Sequence, residues 1–400
     1  MSLLPVEAAL AAILARVPAV TTETVPLADA AGRVLAAPLT ATHDQPPFDA
    51  SSMDGYALRA ADATPGGALQ LIGTAQAGAG FASRLGPGEA VRIFTGAPLP
   101  AGADTVIMQE EAIRDGDTVR FTVSARPGAS VRPRGNDFFA GATLLAAGTP
   151  LTPLPMIVAA AANRATLPVA RRPRLALLAT GDELVPPGTP LGPDQIVACN
   201  STGLAALLAP YAETVTDHGI VADAAAPLQA RLAAMLATEP DIVVTTGGAS
   251  VGEHDLVRDT LAALGVGLDF WRIDMRPGKP LMFGTRGRTL VFGLPGNPVS
   301  AMVTAIVFIL PALRRWLGAP DLAPWRLPLA APTPANSARR HFMRARLVPG
   351  RDGPALQPIP RTDSGQTASL AGADMLIVQP GHDPGQPAGT LVEALPIGAF

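Results

Sequence analysis

Cysteine is nearly absent from this 400-residue chain, which has a single one at Cys199. One cysteine cannot form an intramolecular disulfide or a metal site with several thiolate ligands. The five histidines are dispersed and lack metal-ligand spacing, and no serine–histidine–aspartate arrangement is recognisable. We therefore assign the histidines no metal role and find no pattern typical of a serine hydrolase.

Aromatic residues, positive charge and long apolar runs are also scarce. Aromatics make up 4% of the chain, and the formal net charge of -3 argues against a general nucleic-acid-binding protein, which usually carries a basic field. The longest apolar run, residues 299–310, is too short to span a bilayer. The apolar N-terminus has no basic segment before it and contains Glu7 and Arg16, so it predicts an amphipathic helix rather than a signal peptide. We expect a cytoplasmic protein that binds neither nucleic acid nor membrane.

Proline and glycine are abundant, with 42 and 40 residues, and they divide the chain into short segments. Residues 1–172 predict an N-terminal helix and β region with an inserted β domain at about 50–145. Strands and helices alternate in residues 173–320, which predicts a central, doubly wound and mostly parallel sheet. Short β runs in residues 321–400 predict a C-terminal β barrel. The fold class is therefore α/β and multidomain.

Polar loops follow the predicted central strands, at the edge where parallel sheets bind ligands. Residues 180–184 contain the adjacent carboxylates Asp182 and Glu183, which suit Mg²⁺ or ribose hydroxyls, although a turn capped by Asp182 is an alternative. The next loop, residues 245–255, has paired glycines before a helix, so its backbone N–H groups can approach a phosphate or oxyanion. Asp255 in that loop could cap the helix, bind metal or transfer a proton.

A third pair of loops, residues 276–280 and 294–298, is stiffened by proline. The first carries Arg276 and Lys279 on a turn that cannot become helical, and anion capture is its natural use. Of the 30 basic residues only Lys279 is a lysine. Chance is one explanation, and a role that needs a compact point charge is the other. The second loop offers backbone donors at a helix start, but a purely structural turn explains it almost as well.

Seven motifs carry a resemblance to a known family. They are, in order, SMDGY at 52–56, TGAPLP at 95–100, VRPRGND at 131–137, TGDEL at 180–184, TTGGASVGEHD at 245–255, MRPGKP at 275–280 and LPGNPVS at 294–300. Together the motifs resemble the molybdopterin molybdenumtransferase family, known as MoeA and as the E domain of gephyrin. The resemblance runs from about residue 5 to residue 398.

The resemblance implies a dimer of elongated subunits whose active-site cleft is formed partly by the second subunit. It implies insertion of molybdate into adenylyl-molybdopterin with release of AMP, assisted by Mg²⁺. The catalytic positions that it implies are Asp54, Thr95, Asp137, Glu183, Asp223 and Asp255. The positions expected to bind the pterin cofactor are Gly181, Asp182, Gly247, Gly248, Ser250, Pro295, Gly296, Asn297 and Pro298. The expected molybdate ligands are Arg276, Lys279, Arg339 and Ser364, and the expected Mg²⁺ ligands are Glu183 and Asp255.

Four positions depart from the family pattern. Arg276 replaces a usual lysine, Asn136 a usual glutamate, and both Ala50 and Asp374 a usual asparagine. The positive charge survives at Arg276, so the expected anion role stands, although arginine and lysine hold oxyanions with different geometry. The change at Asp374 adds negative charge to the C-terminal segment.

Three alternative functions remain at this stage. A molybdopterin adenylyltransferase resembles residues 174–318, but the flanking β domains argue against it. A non-catalytic scaffold of the gephyrin type would need a binding tail or linker, and the chain has none that we recognise. A sugar-nucleotide enzyme is supported by the predicted fold only. For a molybdopterin molybdenumtransferase, we expect a homodimer, with molybdopterin adenylyltransferase and downstream cofactor-handling proteins as further partners.

Overall fold

The computed structural model describes residues 3–248, 256–360 and 363–397. The N-terminal segment, residues 3–172, is mostly β structure between two helices. Its elements are α1 (Val6–Arg16), β1 (Thr22–Pro26), β2 (Leu39–Thr40), β3 (Ala50–Ser51), β4 (Gly55–Leu58), β5 (Ala68–Ala75), β6 (Glu89–Ile93), β7 (Thr105–Met108), β8 (Ala112–Asp115), β9 (Thr118–Phe121), β10 (Val131–Arg132), β11 (Thr143–Leu145), α2 (Pro153–Ala161) and β12 (Thr166–Ala170).

Strand pairing shows that the N-terminal segment contains a β domain inserted between paired flanking strands. Strands β1 and β2 pair with β12 and β11, so residues on either side of the insertion lie together. The inserted residues form a six-stranded sheet in the order β7-β4-β6-β5-β9-β8. A hairpin with the sequence Asp115-Gly116 at its turn joins β8 to β9, and Gly116 has a φ of 58°, which glycine adopts without strain.

The central segment, residues 173–320, contains the second six-stranded sheet and most of the helices. Its elements are β13 (Arg174–Thr180), β14 (Leu184–Val185), β15 (Ile196–Val197), α3 (Asn200–Leu208), β16 (Thr214–Val221), α4 (Ala225–Ala237), β17 (Ile242–Thr246), α5 (Leu256–Ala263), β18 (Gly267–Phe270), β19 (Met275–Arg276), β20 (Met282–Arg286), β21 (Thr289–Leu294), α6 (Pro298–Thr304), a π-helical turn (Ala305–Ile309) and α7 (Leu310–Trp316).

Helices cover both faces of the central sheet. Leu175 and Leu177 of β13 pack in one cluster with α3 and the helix formed by residues 298–316, whereas Ala176 and Leu178 pack in another with α4 and α5. Because successive side chains of a strand point to opposite faces, both sets have to be apolar, which explains the continuous apolar run of β13.

The central sheet is less parallel than its sequence predicts. Its order is β16-β13-β17-β21-β20-β18, and its first four strands are parallel. Strand β20, which the sequence interpretation missed, pairs antiparallel with both β21 and β18. A two-residue turn at Gly287 and Arg288 reverses the chain between β20 and β21, with Gly287 at a φ of 58°. Short turn signals inside a strand–helix alternation are easily missed.

The C-terminal segment forms a curled sheet from β22 (Trp325–Pro328), β23 (Arg340–Gly350), β24 (Gly353–Pro358), β25 (Met375–Gln379) and β26 (Leu391–Pro396). The order is β19-β23-β25-β26-β22, with β24 paired to the other part of β23. A bridge between Leu329 and Leu356 brings the two ends of the curl together. A closed barrel stays a prediction. Strand β19 comes from the central segment, so its parallel pairing with β23 joins the two segments.

Residues 298–316 form one helix that is long and apolar enough to cross a membrane by length and composition. In the structure, 83% of its most apolar stretch is buried inside the protein. Val303, Phe308 and Leu313 on this helix are fully buried in the larger core cluster, with Ile13 of α1. The apolar surface of the helix is therefore used to hold the N-terminal helix and the central sheet together.

Candidate active site

A cavity of about 370 Å³ lies at the carboxyl ends of the parallel strands. Loops after β13, β17 and β21 form its walls, as expected for ligand sites in such sheets. Nine of its lining residues belong to the sequence motifs or to the predicted site. They are Thr180, Glu183, Asp223, Gly247, Gly248, Pro295, Gly296, Asn297 and Pro298. The structure thus brings together motifs that are up to about 120 residues apart in the chain.

Glycine lets two of these loops approach each other at the cavity. Gly247 has a φ of 89°, and a Cβ there would lie 2.2 Å from the carbonyl oxygen of Thr180. Gly181 has a φ of 152°, and a Cβ there would lie 2.6 Å from the Glu183 carboxylate. Any larger residue at either position would push β13 and β17 apart or displace Glu183.

Three carboxylates form an acidic cluster on one side of the cavity. The backbone N–H of Asp223 donates to Asp182 Oδ1 at 3.0 Å. Burial raises the pKa of Asp223, and the negative charges of Asp182 and Glu183 raise it further. Mutual repulsion of this kind means that the three side chains share one region, which suits a cation or a proton held among them.

Ser250 and Asp255, predicted for phosphate binding and for catalysis, lie outside the described residues. The predicted pairing of Glu183 with Asp255 around Mg²⁺ therefore stays a prediction. Within the described ranges, no three or more histidine, cysteine, aspartate or glutamate side chains are arranged to hold a metal ion.

Arg276 and Arg339 form a basic cluster where the central segment meets the C-terminal sheet, and neither they nor Lys279 are among the residues that line the cavity. The loop that carries Arg276 and Lys279 leads into Pro280, which lines the cavity, and Ile273 N–H donates to the Lys279 carbonyl at 2.9 Å. Arg339 Nη1 donates to the Met275 carbonyl at 3.3 Å. The pKa of Arg276 is lowered by burial and by the neighbouring charge of Arg339, so the two predicted anion ligands are close.

Ser364, the fourth predicted molybdate ligand, does not line the cavity but hydrogen-bonds to a residue that does. Asn297 Nδ2 donates to Ser364 Oγ at 2.9 Å, and Val299 N–H donates to the Ser364 carbonyl at 3.1 Å. Asp374, the unusual acidic residue of this segment, accepts a hydrogen bond from Leu347 N–H at 2.9 Å. Its carboxylate is therefore engaged within the C-terminal sheet.

The sequence interpretation missed His341, which is 4% exposed. Its Nδ1 lies 3.2 Å from Nη2 of Arg276. Burial, and to a smaller extent the charge of Arg276, lower the pKa of His341 to about 4. No spacing in the sequence indicates this contact, because it depends on the register that places Arg276 opposite His341 in the β19–β23 pair.

The predicted N-terminal catalytic residues are not at this cavity. Asp54 Oδ1 accepts hydrogen bonds from the backbone N–H and the hydroxyl of Thr95, both at 2.8 Å, and these bonds lower the pKa of Asp54. The Asp137 N–H donates to the Gln45 carbonyl at 2.9 Å. In the part of the chain that the structure describes, no residue before 173 lines the cavity. The fold of the chain therefore leaves Asp54, Thr95 and Asp137 outside the described lining of this cavity.

Comparison with known proteins accounts for almost the whole chain. Models for the "MoeA N-terminal region (domain I and II)", a "probable molybdopterin binding domain" and the "MoeA C-terminal region (domain IV)" match residues 4–163, 176–315 and 326–397. A molybdopterin molybdenumtransferase from Bacillus subtilis is 33% identical over 388 residues, which cover 94% of this chain and 89% of that protein. The chain belongs to the molybdopterin molybdenumtransferase (MoeA) family.

Other relatives of this MoeA-family chain agree. A molybdopterin molybdenumtransferase from Nostoc sp. is 40% identical over 302 residues, covering 74% of this chain and 69% of the relative. A crystal structure of the molybdopterin biosynthesis MoeA protein from Pyrococcus horikosii superposes with a TM-score of 0.84 at 30% identity, over all of both chains. The MoeA arrangement of segments therefore extends across the whole chain.

Proposed function

We propose that this MoeA-family protein inserts molybdate into adenylated molybdopterin, with release of AMP, to complete the molybdenum cofactor. One observation carries the proposal: a cavity with glycine-rich walls is lined by the carboxylates of Glu183 and Asp223 and by Pro280, the residue that ends the loop of Arg276 and Lys279. This combination suits a substrate with a phosphate anhydride and a second, anionic substrate. A molybdopterin adenylyltransferase is not favoured, because the chain also matches the MoeA N- and C-terminal regions.

The basic cluster supports the binding of an oxyanion. The Nε of Arg276 is buried, and no acceptor among the described residues lies within hydrogen-bonding distance of it. Burying an unpaired guanidinium N–H is unfavourable, and an oxyanion oxygen would supply the missing acceptor. Molybdate is a tetrahedral dianion, so Arg276, Lys279 and Arg339 would neutralise it, with the Ser364 hydroxyl as a further donor.

The glycine-rich loops support the binding of the adenylated substrate. The φ values of Gly247 and Gly248, 89° and 64°, turn consecutive backbone N–H groups at the end of β17, an arrangement that binds phosphate in other proteins. A Cβ added at Gly296 would lie 3.5 Å from the Cα of Gly247, so the two loops are close. Gly296 also precedes the N-terminus of α6, which favours negative charge. These loops would orient the anhydride while Glu183 and Asp223 face its phosphates.

The acidic cluster fits Mg²⁺. Its donors are hard carboxylate oxygens, and their mutual repulsion, seen in the raised pKa of Asp223, would be relieved by a cation. Mg²⁺ commonly uses only one or two protein carboxylates and takes its other ligands from water and phosphates. We assign Glu183 and Asp255 to this role. When bound, the ion would neutralise the phosphate charge that develops as AMP leaves.

A homodimer would complete the site, since Asp54, Thr95 and Asp137 do not reach the cavity of their own subunit. Helix α2 exposes two large apolar side chains, Leu154 at 74% and Ile157 at 66%, which supports an interface on this face. We propose that the protein works in the cytoplasm, with a molybdopterin adenylyltransferase supplying its substrate and cofactor-handling proteins receiving its product.

A purified assay tests the function. The protein is incubated with adenylated molybdopterin and Mg²⁺, and AMP is measured with and without molybdate. We expect molybdate to stimulate AMP release and ATP to remain unconsumed. Consumption of ATP with unadenylated molybdopterin would support the adenylyltransferase alternative, and no AMP release under any condition would overturn the proposal.

The same assay tests the molybdate site through Lys279→Ala. Loss of one cation from the basic cluster removes a charge-assisted contact, so the molybdate KM should rise about tenfold. The KM for the adenylated substrate should change little, and excess molybdate should partly restore the rate. Arg288→Ala, on the β20–β21 turn, is the matched control. Equal losses for both substrates would contradict the assignment of Lys279.

A further inference from the structure

Three neighbouring strands place Arg276, His341 and Gln379 side by side. Arg276 pairs with His341 between β19 and β23, and His341 pairs with Gln379 between β23 and β25. The imidazole is therefore held between a guanidinium on one side and an amide on the other. His341 Nδ1 is 3.2 Å from Arg276 Nη2 and 3.4 Å from Gln379 Oε1.

The hydrogen bonds of Gln379 fix the direction of its amide. Its Nε2 donates to the Pro334 carbonyl at 2.7 Å and to Asp383 Oδ1 at 3.3 Å. The amide oxygen consequently has to face His341. Since Gln379 is 2% exposed, water does not compete for this geometry.

The two neighbours of Nδ1 require opposite proton states. A guanidinium can only donate, so contact with Arg276 requires a lone pair on Nδ1, with the ring neutral and its proton on Nε2. Gln379 Oε1 can only accept, so contact with it requires a proton on Nδ1. The neutral ring can satisfy one neighbour or the other by moving its proton between the two nitrogens.

We propose that His341, backed by Gln379, is a positioning residue that holds Arg276 ready for the oxyanion. This inference rests on the function proposed above. In the absence of the anion, Nδ1 occupies the place of an anion oxygen on Nη2, so the partly buried guanidinium keeps its orientation. When the anion takes over Nη2, the Nδ1–H tautomer donates to Gln379 Oε1, so Nδ1 has a partner in both states.

The arrangement also gives a physical role to the unusual residue at position 276. An arginine has two terminal nitrogens and Nε, so it can contact His341 through Nη2 while its buried Nε–H remains directed elsewhere. A lysine carries all its donors on one ammonium nitrogen, so it cannot contact His341 and direct a second, separate donor elsewhere in the way that arginine can. The contribution of His341 should therefore depend on arginine at this position.

A double-mutant cycle tests this dependence in the assay of AMP release. His341→Leu should raise the molybdate KM about tenfold and leave the KM for adenylated molybdopterin within twofold, because an unanchored guanidinium binds the anion less well. In the Arg276→Lys background the same substitution should change the molybdate KM by less than twofold. His341→Gln, which retains an acceptor for Arg276, should stay within about threefold of the original protein. His218→Leu is the matched control.

A spectroscopic measurement covers the case in which His341→Leu does not fold. Imidazole ¹⁵N NMR of the intact protein, with His341→Gln used to assign the signal, reports which ring nitrogen is protonated. We expect Nε2–H without anion and Nδ1–H after molybdate is added. An Nδ1–H ring in the anion-free protein, or a ring that molybdate leaves unchanged, would overturn the inference, as would an equal His341→Leu effect in the Arg276→Lys background.

Arg276→Ala separates this inference from the proposed function. If Arg276→Ala leaves the molybdate KM unchanged, the oxyanion site itself has been placed wrongly. If Arg276→Ala raises the molybdate KM and His341→Leu leaves it within twofold, the oxyanion site stands and only the role of His341 is wrong.

Discussion

The acidic side of the central cavity and the basic side, which joins the cavity through Pro280, are built in different ways. The acidic cluster of Asp182, Glu183 and Asp223 comes from loops that directly follow strands of one sheet. The basic cluster of Arg276 and Arg339, with His341 beside it, combines two segments of the chain and depends on the pairing of β19 with β23. The first cluster is therefore a property of one sheet, and the second is a property of how two segments dock.

Both clusters crowd like charges, and each shifts a pKa accordingly. Neighbouring carboxylates help to raise the pKa of Asp223, and neighbouring Arg339 helps to lower that of Arg276. Such crowding is unfavourable unless a ligand of opposite charge binds. We therefore expect a cation to complete the acidic side and an anion to complete the basic side. Loss of ligand binding on one side should leave binding on the other side intact.

The largest expected effect separates the two sides. Glu183→Gln removes a carboxylate from the acidic cluster without changing side-chain size, so kcat for AMP release should fall about 100- to 1000-fold. The molybdate KM should stay within about threefold, because the basic cluster is intact. The Mg²⁺ concentration that gives half-maximal rate should rise. Glu213→Gln, an exposed control, should behave like the original protein.

An unchanged kcat for Glu183→Gln would remove this residue from the active site. A large rise in the molybdate KM would instead mean that the acidic and basic sides act as one site and are not independent. Thermal unfolding of the variant excludes a folding defect as the cause of either result.

A second effect concerns stability and isolates the basic side. The pKa of His341 is about 4 in the folded protein, against 6.5 for the free side chain. Between these values the unfolded chain binds the proton and the folded protein does not, so stability is lost as the pH falls from about 6.5 to 4. The difference is worth roughly 3 kcal/mol. Chemical denaturation at pH 7 and pH 4.5 should show this loss, and His341→Gln should reduce it.

Other groups also titrate in this range, so the difference between the two proteins is the quantity to measure. The same pH dependence in His341→Gln as in the original chain would mean that the pKa of His341 is equal in the folded and unfolded protein. That result would contradict a buried imidazole held neutral beside Arg276.

The sequence predicts the acidic side well for a physical reason. Carboxyl ends of parallel strands share one edge of a sheet, so polar residues after β13 and β16 have to lie near each other. Gly247 and Asn297 lie at the cavity for the same reason, because each is in a loop that follows a parallel strand of this sheet. The strand order could be guessed only in part, because β20 reverses direction in a two-residue turn.

The basic side is beyond such reasoning. His341 is one of five dispersed histidines, and its contact with Arg276 arises from a parallel pairing across 65 residues that no periodicity indicates. The N-terminal residues illustrate a second limit. Motif order relates Asp54 and Thr95 to the active site, but the fold of one subunit places them in a separate sheet, hydrogen-bonded to each other.

The smallest effect is expected where the two sides meet. Asn297 lines the cavity and donates to Ser364 of the C-terminal segment, and both side chains are at least partly exposed to water. A neutral, solvent-accessible hydrogen bond contributes about 1 kcal/mol, so Ser364→Ala should raise the molybdate KM by about three- to fivefold. Ser364→Thr, which keeps the hydroxyl, should stay near the original value. If both variants are indistinguishable from the original protein, Ser364 does not contact the anion, and the basic side is confined to the arginines and Lys279. An effect confined to the adenylated substrate would place Ser364 on the Asn297 side of the cavity instead.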